Sequence, residues 1–356
     1  MPAAQPAPLD SAPALPAALH WRARRGAGPD GLVASPLVQA PLAADAVRVR
    51  VLAVSLNHRD LMLLDGRAGP ADRPVVPCSD AVGEVLEVGS AVRDLVPGQR
   101  VISAFFPDWE RGPASAAATA RALGGSLDGV LGDEVCHPAA AWVPLPDGVA
   151  VDAASTLSCA GVTAWHALHA PVALPRGAGI VVLGTGGVAI WALQLGVALG
   201  LRVAVVSSHA SKLERAAALG ASLCVDRRTH PRWSEMIQRE WGGADRVLDV
   251  VGPATLAQSI EALRYGGSVA VVGRLSGSEP AAIDPAALFL EHKRLLGLMV
   301  GSRAMTAQLA AFVSDQRLHP VIEKVYPRGA VGEAFGALAR ADHVGKLVIR
   351  LDEAAV

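Results

Sequence analysis

The chain has 356 residues, a formal net charge of −1, 51% hydrophobic residues and 18% charged residues. That size predicts about two domains with ample core and excludes a disordered chain. The charge balance argues against nucleic acid as a partner, because phosphate contacts need a basic excess.

The first residues, Met1 to Pro16, are rich in Ala and Pro and lack a basic segment followed by a continuous apolar one. They read as a disordered tail over residues 1–18 and not as a secretory signal. Every long apolar run is broken by Gly, Pro or charge, so no membrane partner is expected and the cytoplasm is the expected address. Next come Val-dense runs, Val47 to Val51 and Gly83 to Val88, whose alternation of apolar and polar residues predicts half-buried strands. Pro97-Gly98 turns the chain into a further strand, Val101 to Ala104. This half reads as a compact, mostly antiparallel β domain. Cys78, Cys136, Cys159 and Cys224 form no CxxC pair, which points away from a disulfide scaffold or a zinc ribbon. Cys78, Cys136 and Cys224 read as small buried hydrophobes.

After Asp147 the rhythm changes. The run Ile180 to Leu183 is followed by a glycine-rich turn and a helix, Val188 to Leu199. A strand (Arg202 to Val206), a helix (Ser211 to Leu219), an apolar run (Arg246 to Val251), a helix (Ala254 to Leu263) and a strand (Ser268 to Val272) come next. Strands alternating with helices predict right-handed crossovers, a parallel sheet and an α/β doubly wound domain. From Met305 the elements are mixed and end in the strand-like Lys346 to Arg350.

The sharpest motif is Gly184-Thr185-Gly186-Gly187-Val188-Ala189, a GxGxxA between a strand and a helix. Gly184 permits a tight turn, Gly186 lets the backbone approach a pyrophosphate, and Ala189 lets the helix pack on the strand. The helix N-terminus offers free N–H groups to phosphate oxygens. The second strand ends in Val206-Ser207-Ser208-His209, without the acidic residue that holds a ribose 2′-hydroxyl. Ser207, Ser208 and Lys212, with Arg227 or Arg228, suit a 2′-phosphate, which favours NADPH and leaves NADH as the alternative.

With these residues in place the chain resembles the medium-chain dehydrogenase/reductase superfamily. The likeness rests on Ser55-Leu56-Asn57-His58-Arg59-Asp60, Gly83 to Gly89, Pro97 to Val101, Cys159 to Trp165, the phosphate loop and Gly345-Lys346. It implies a GroES-like, mostly-β catalytic domain over 19–152 and 305–356, a Rossmann domain over 153–304, a cleft between them and a homodimer. Zinc alcohol dehydrogenases carry Cys where Asn57 stands and Gly-His-Glu where Cys78-Ser79-Asp80 stands, and only their third ligand survives, as Cys159. The resemblance is therefore to the zinc-free, quinone-reductase-like branch, with no metal, since catalytic zinc needs three protein ligands.

By that resemblance Asn57 stands beside nicotinamide and substrate. His58 falls where related enzymes often carry a Tyr, as proton donor or as cleft wall. Asp60 has a structural or orienting job. Thr163, Gly184, Thr185, Gly186, Gly187, Val188, Gly273 and Ser302 are the implied cofactor contacts. Lys346 either reaches the cofactor phosphates or is a solvated strand residue. Arg303 lies where the family passes the nicotinamide. Phe106 and Trp109 form either a cleft lid or a loop packed on itself, and His166 and His169 read as core or surface histidines. The implied activity is NADPH-dependent reduction of a small-molecule quinone or α,β-unsaturated carbonyl. Zinc-free alcohol dehydrogenase or carbonyl reductase chemistry is the alternative, and a non-catalytic cofactor sensor is a third reading.

Overall fold

The computed structural model describes residues 18–39, 41–69 and 72–352. Apart from Ala18, the tail expected over 1–18 lies outside the described residues. The β-rich part is organised on the strand Ala46–Ser55, whose valines alternate into the core. It pairs antiparallel with Asp80–Val88 along one edge and with Glu134–Pro138 and Lys346–Arg350 along the other. The C-terminal strand thus closes a sheet begun by the N-terminal third of the chain, with Ile349 opposite Val54. One pair in this sheet, Ile322–Pro327 with Lys346–Arg350, is parallel. Val49, Val85, Trp142, Leu347 and Phe335 of the helix Val331–Arg340 share its core.

The second sheet has six parallel strands. In spatial order they are Leu223–Asp226, Arg202–Ser207, Gly179–Leu183, Ala244–Asp249, Leu263–Val271 and Arg294–Gly297. The strand order reverses beside Gly179–Leu183, so a crevice opens at its carboxyl end, where α/β folds bind nucleotides. Every residue of that strand is buried, as a central parallel strand covered on both faces requires. The helix Gly187–Ala198 is apolar nearly all round because the sheet covers one side and the segment 157–169 the other. That segment opens with one wide turn of π-type helix, Leu157–Gly161, which carries Cys159.

Among the elements that escape periodicity are the short strands Leu223–Asp226 and Arg294–Gly297 and the helix Trp233–Trp241. The strand expected from Ser268 starts at Leu263, where the helix was expected to end. Gly266 and Gly267 interrupt the apolar pattern there, and the pairing register slips beside them. Among the described residues, no helix is long and apolar enough to cross a membrane.

Candidate functional site

The phosphate loop leaves the strand Gly179–Leu183 through Gly184, whose φ of +84° favours glycine. Its N–H donates to Val206 O at 2.7 Å, tying the turn to the next strand. A Cβ built on Gly184 or Gly186 would meet no atom within 4 Å. Gly186 is the N-cap of the helix Gly187–Ala198 and, having no side chain, caps none of its first-turn N–H groups. Open space in front of uncapped N–H groups at the positive end of a helix is a fitting seat for a pyrophosphate. Gly187 differs: a Cβ there would stand 2.7 Å from Lys346 Cδ. The C-terminal segment is latched onto the loop by the Gly345 N–H, which donates to Thr185 O at 3.0 Å.

From that latch the side chain of Lys346 runs under Gly187 into a buried polar cluster. Its ammonium donates to Leu56 O and Asn57 Oδ1, both at 2.6 Å, and lies 4.0 Å from Asp80 Oδ2. Lys346 is 3% exposed. The expectation of a solvated strand residue gives way to this placement. The buried carboxylate and carbonyl oxygens draw the ammonium away from the loop. Asp80, fully buried, also accepts from Ser79 Oγ at 2.6 Å and from the Cys159 N–H at 3.1 Å. Asp60, equally buried, accepts the Asn57 N–H at 2.8 Å through Oδ2. Asp60 Oδ1 and Asn57 Nδ2 are buried without a partner among the described residues.

Burial pushes the Asp60 carboxyl up to about 6, against the pull of Arg59, the Asn57 N–H and Lys346, while Asp80 adds to the rise. Burial, reinforced by Asp80, drives the Cys159 thiol far above its ordinary value, and Cys78 behaves likewise. Both stay protonated thiols. Cys136, expected to be buried, lies exposed on Glu134–Pro138, and Cys224 is partly buried.

His58 opens the helix His58–Leu64 and is exposed, and its ring makes no hydrogen bond among the described residues. Partial burial and the Arg67 guanidinium hold its pKa below the usual histidine value, against the pull of Asp65. Asn57 and Asp60 are thus joined by the structure, while His58 shares its surroundings with Asp65 and Arg67. Thr163 is buried on the helix Val162–His169, and Gly273 lies where a Cβ would come within 2.6 Å of Val250 O. Ser302 is the N-cap of the helix Arg303–Asp315, its Oγ accepting from the Met305 N–H at 3.2 Å.

Phe106 and Trp109 are buried, and Trp109 Nε1 donates to Gly112 O at 3.0 Å, so their loop packs on itself. His166 Nδ1 lies 2.9 Å from Val300 O, and His169 Nδ1 lies 2.8 Å from Trp165 O. Arg303 is a staple: its N–H donates to Trp109 O and its Nε to Trp142 O, both at 2.9 Å, and Nη2 pairs with Asp94 at 3.3 Å. Arg303→Met is expected to lower stability by about 1–2 kcal/mol in urea denaturation, with NADPH affinity by fluorescence titration unchanged. A large loss of affinity at full stability would instead put Arg303 on the cofactor.

At the end of the second strand Ser207 is buried, and Ser208 Oγ lies 3.2 Å from His209 Nδ1. The Lys212 ammonium donates to Ala341 O at 3.0 Å and His343 O at 3.4 Å, which ties it to the C-terminal segment. Arg227 is exposed, its side chain without a partner among the described residues. Sequence order hid Asp226, which pairing of strands places beside Ser207 and which Arg228 Nη2 holds at 2.9 Å. It also hid Arg59 and Asp80, because neither carries a motif without its spatial neighbours.

Comparisons with known proteins agree with this architecture. A family model described as alcohol dehydrogenase GroES-like domain matches residues 43–147, and one described as zinc-binding dehydrogenase matches residues 187–315. A zinc-type alcohol dehydrogenase-like protein of Schizosaccharomyces pombe is 34% identical over 86% of this chain and 91% of its own. An acryloyl-coenzyme A reductase of Metallosphaera sedula is 25% identical over 86% of this chain and 92% of its own. A crystal structure from Sinorhizobium meliloti 1021 superposes with a TM-score of 0.86 at 38% identity, covering 94% of this chain and 98% of that one. By its two matched domains, its relatives and its nucleotide-binding architecture, the chain belongs to the medium-chain dehydrogenase/reductase superfamily and is an NAD(P)H-dependent oxidoreductase.

Proposed function

We propose that the chain is a zinc-independent, NADPH-dependent reductase of α,β-unsaturated carbonyls or quinones. The observation that carries this is the chemistry of the donor set at the three positions where zinc-type relatives bind metal. The Asn57 oxygen is taken by the Lys346 ammonium, the Ser79 hydroxyl donates to Asp80, and Cys159 is left as the single thiol among the three positions. Zinc takes thiolate, imidazole or carboxylate ligands, and a cation already seated among the donors repels it. These residues do not fit zinc, so the substrate oxygen has to be met by N–H donors.

The phosphate loop does fit a dinucleotide, which when bound supplies a hydride. The first-turn N–H groups of Gly187–Ala198 would hold the pyrophosphate, and Ser208 and Arg227 would meet a 2′-phosphate, with the nearby Asp226 carboxylate already paired to Arg228 at 2.9 Å. Lys346 fixes the Asn57 amide with its oxygen inward, which leaves Nδ2 as the group's free donor. The acryloyl-coenzyme A reductase among the relatives has an α,β-unsaturated thioester in its name, which supports an enone-type acceptor. A second reading, zinc-free carbonyl reduction or alcohol oxidation, is favoured by the alcohol dehydrogenase-like relative.

The test is NADPH oxidation in the presence of a chelator, against small quinones, enones, aldehydes and ketones. Turnover of enones or quinones at an undiminished rate is the expected result. Activity on aldehydes and ketones alone selects the second reading. Activity lost in chelator and restored by zinc overturns the proposal.

A further inference from the structure

We infer that Arg59 is a catalytic residue of this site, its guanidinium receiving the reacting oxygen of the carbonyl substrate. The inference rests on the proposed carbonyl reduction for its substrate and adds the group that takes over the electrophilic role of a metal. Arg59 sits between exposed His58 and buried Asp60 in the helix His58–Leu64, two positions after Asn57, which with Asp80 and Lys346 forms the buried cluster.

The guanidinium is held from two sides. Nη1 donates to Leu123 O at 2.7 Å, and Cζ lies 4.4 Å from the centroid of the Phe105 ring. The first contact fixes the plane, and the second is a cation–π seat that holds charge without neutralising it. The bond to Leu123 is its sole hydrogen bond among the described residues, and no described carboxylate lies within 4 Å of it. A half-buried arginine with most donors unspent and no carboxylate in contact is unusual, because burial of a charge favours direct pairing; the opposing charge of Asp60 acts on it without an ion-pair contact. Lys346 by contrast is buried and committed to protein oxygens.

Gly125 supplies the third piece of geometry. A Cβ there would stand 2.5 Å from Arg59 Nη2, so only glycine at this position lets the guanidinium lie against the main chain and keep its place. The charge of Arg59 also bears on Asp60, Cys78 and Cys159, so it belongs to the same electrostatic neighbourhood. A counter-ion that arrives only as the reaction proceeds stabilises the transition state more than the ground state.

The step balances as follows. A bound dihydronicotinamide would supply a hydride, with its electron pair, to the β-carbon of an enone or to a carbonyl carbon. A C–H bond forms, the π bond breaks, and its electron pair moves onto oxygen. That oxygen becomes anionic against an unspent N–H of the Arg59 guanidinium, and water gives the proton, to the α-carbon of the enolate or to the alkoxide, leaving as hydroxide.

The test uses the full chain with Arg59→Met, Arg59→Lys and Gly125→Ala. For whichever of cyclohex-2-enone, 1,4-naphthoquinone or benzaldehyde the wild type reduces, kcat is expected to fall about a hundredfold in Arg59→Met. Arg59→Lys is expected to recover part of the loss, and Gly125→Ala to lower kcat by displacing Nη2. NADPH affinity by fluorescence stays unchanged in all three. A readout free of turnover is the binding of isobutyramide, an unreactive carbonyl, to the NADPH-loaded protein. Its affinity should fall about tenfold in Arg59→Met, the loss of one charge-assisted hydrogen bond. If Arg59→Met fails to fold, the lysine and Gly125 variants decide the matter. Unchanged kcat, or a KM effect alone, overturns the inference, as does equal amide binding by wild type and variants. Amide binding that depends on Arg59 without turnover of any substrate leaves this inference standing and defeats the proposed reaction.

Discussion

With Gly186 replaced by valine, NADPH affinity is expected to fall by about a thousandfold while the fold is untouched. Gly186 has φ −77° and ψ −174°, an extended conformation that valine adopts without strain. A Cβ at this position meets no protein atom within 4 Å, so the folded chain has room for the side chain. That same room is the approach to the first-turn N–H groups of Gly187–Ala198. Each hydrogen bond from such a group to a charged oxygen is worth about 1.5–3 kcal/mol, so losing two costs about 4 kcal/mol. At about 1.4 kcal/mol per tenfold, that is roughly three decades in Kd. Fluorescence titration with NADPH measures the loss, and thermal unfolding of the free protein supplies the control. Affinity within threefold of wild type would place the phosphates elsewhere. Gly184→Val is a poor substitute for this test, because φ +84° makes the variant strained before any ligand arrives.

The phosphate loop was legible because its chemistry is local: a strand, a turn and a helix N-terminus lie within a dozen residues, and each glycine answers a backbone requirement. The central strands were legible for the same reason, since a fully buried parallel strand such as Gly179–Leu183 is a continuous apolar run. The edge strands Leu223–Asp226 and Arg294–Gly297 are only partly buried and four residues long, too short to carry a period. The polar cluster is non-local. Asn57 and Lys346 are separated by 289 positions and meet because Lys346–Arg350 pairs with Ala46–Ser55 and Gly345 latches onto Thr185. No spacing rule contains that information. A lysine at the start of a strand reads as solvated until the sheet beside it is known, and its opposite outcome here follows from the buried oxygens of Leu56, Asn57 and Asp80. Arg59 was passed over for the converse reason: its significance lies in the partners it lacks, which only a full accounting of neighbours reveals.

Asp60→Asn is expected to make the protein more stable at pH 8, by about 1–3 kcal/mol. The carboxyl of Asp60 is buried, and burial lifts it to about 6, well above its value in an unfolded chain. Between pH 4 and pH 6 the native state therefore binds more protons than the unfolded state. Stability from this group rises as pH falls through 6 and levels off near 4, and above pH 6 the full penalty of the buried charge is present. A lift of this size corresponds to about 3 kcal/mol at neutral pH, with the attractions of Arg59 and Lys346 already counted in it. Asparagine retains an acceptor for the Asn57 N–H and sheds the charge. The stability advantage should accordingly be largest at pH 8 and vanish near pH 4, as read by urea denaturation across that range. A variant less stable than wild type at pH 8 would mean that Arg59 and Lys346 need this carboxylate more than its burial costs. A carboxylate that destabilises the fold where the enzyme works is the pattern of a site residue, and the variant is expected to lose kcat as it gains stability. The Asn57 backbone, the head of the helix His58–Leu64 and the charge balance around Arg59 all depend on it.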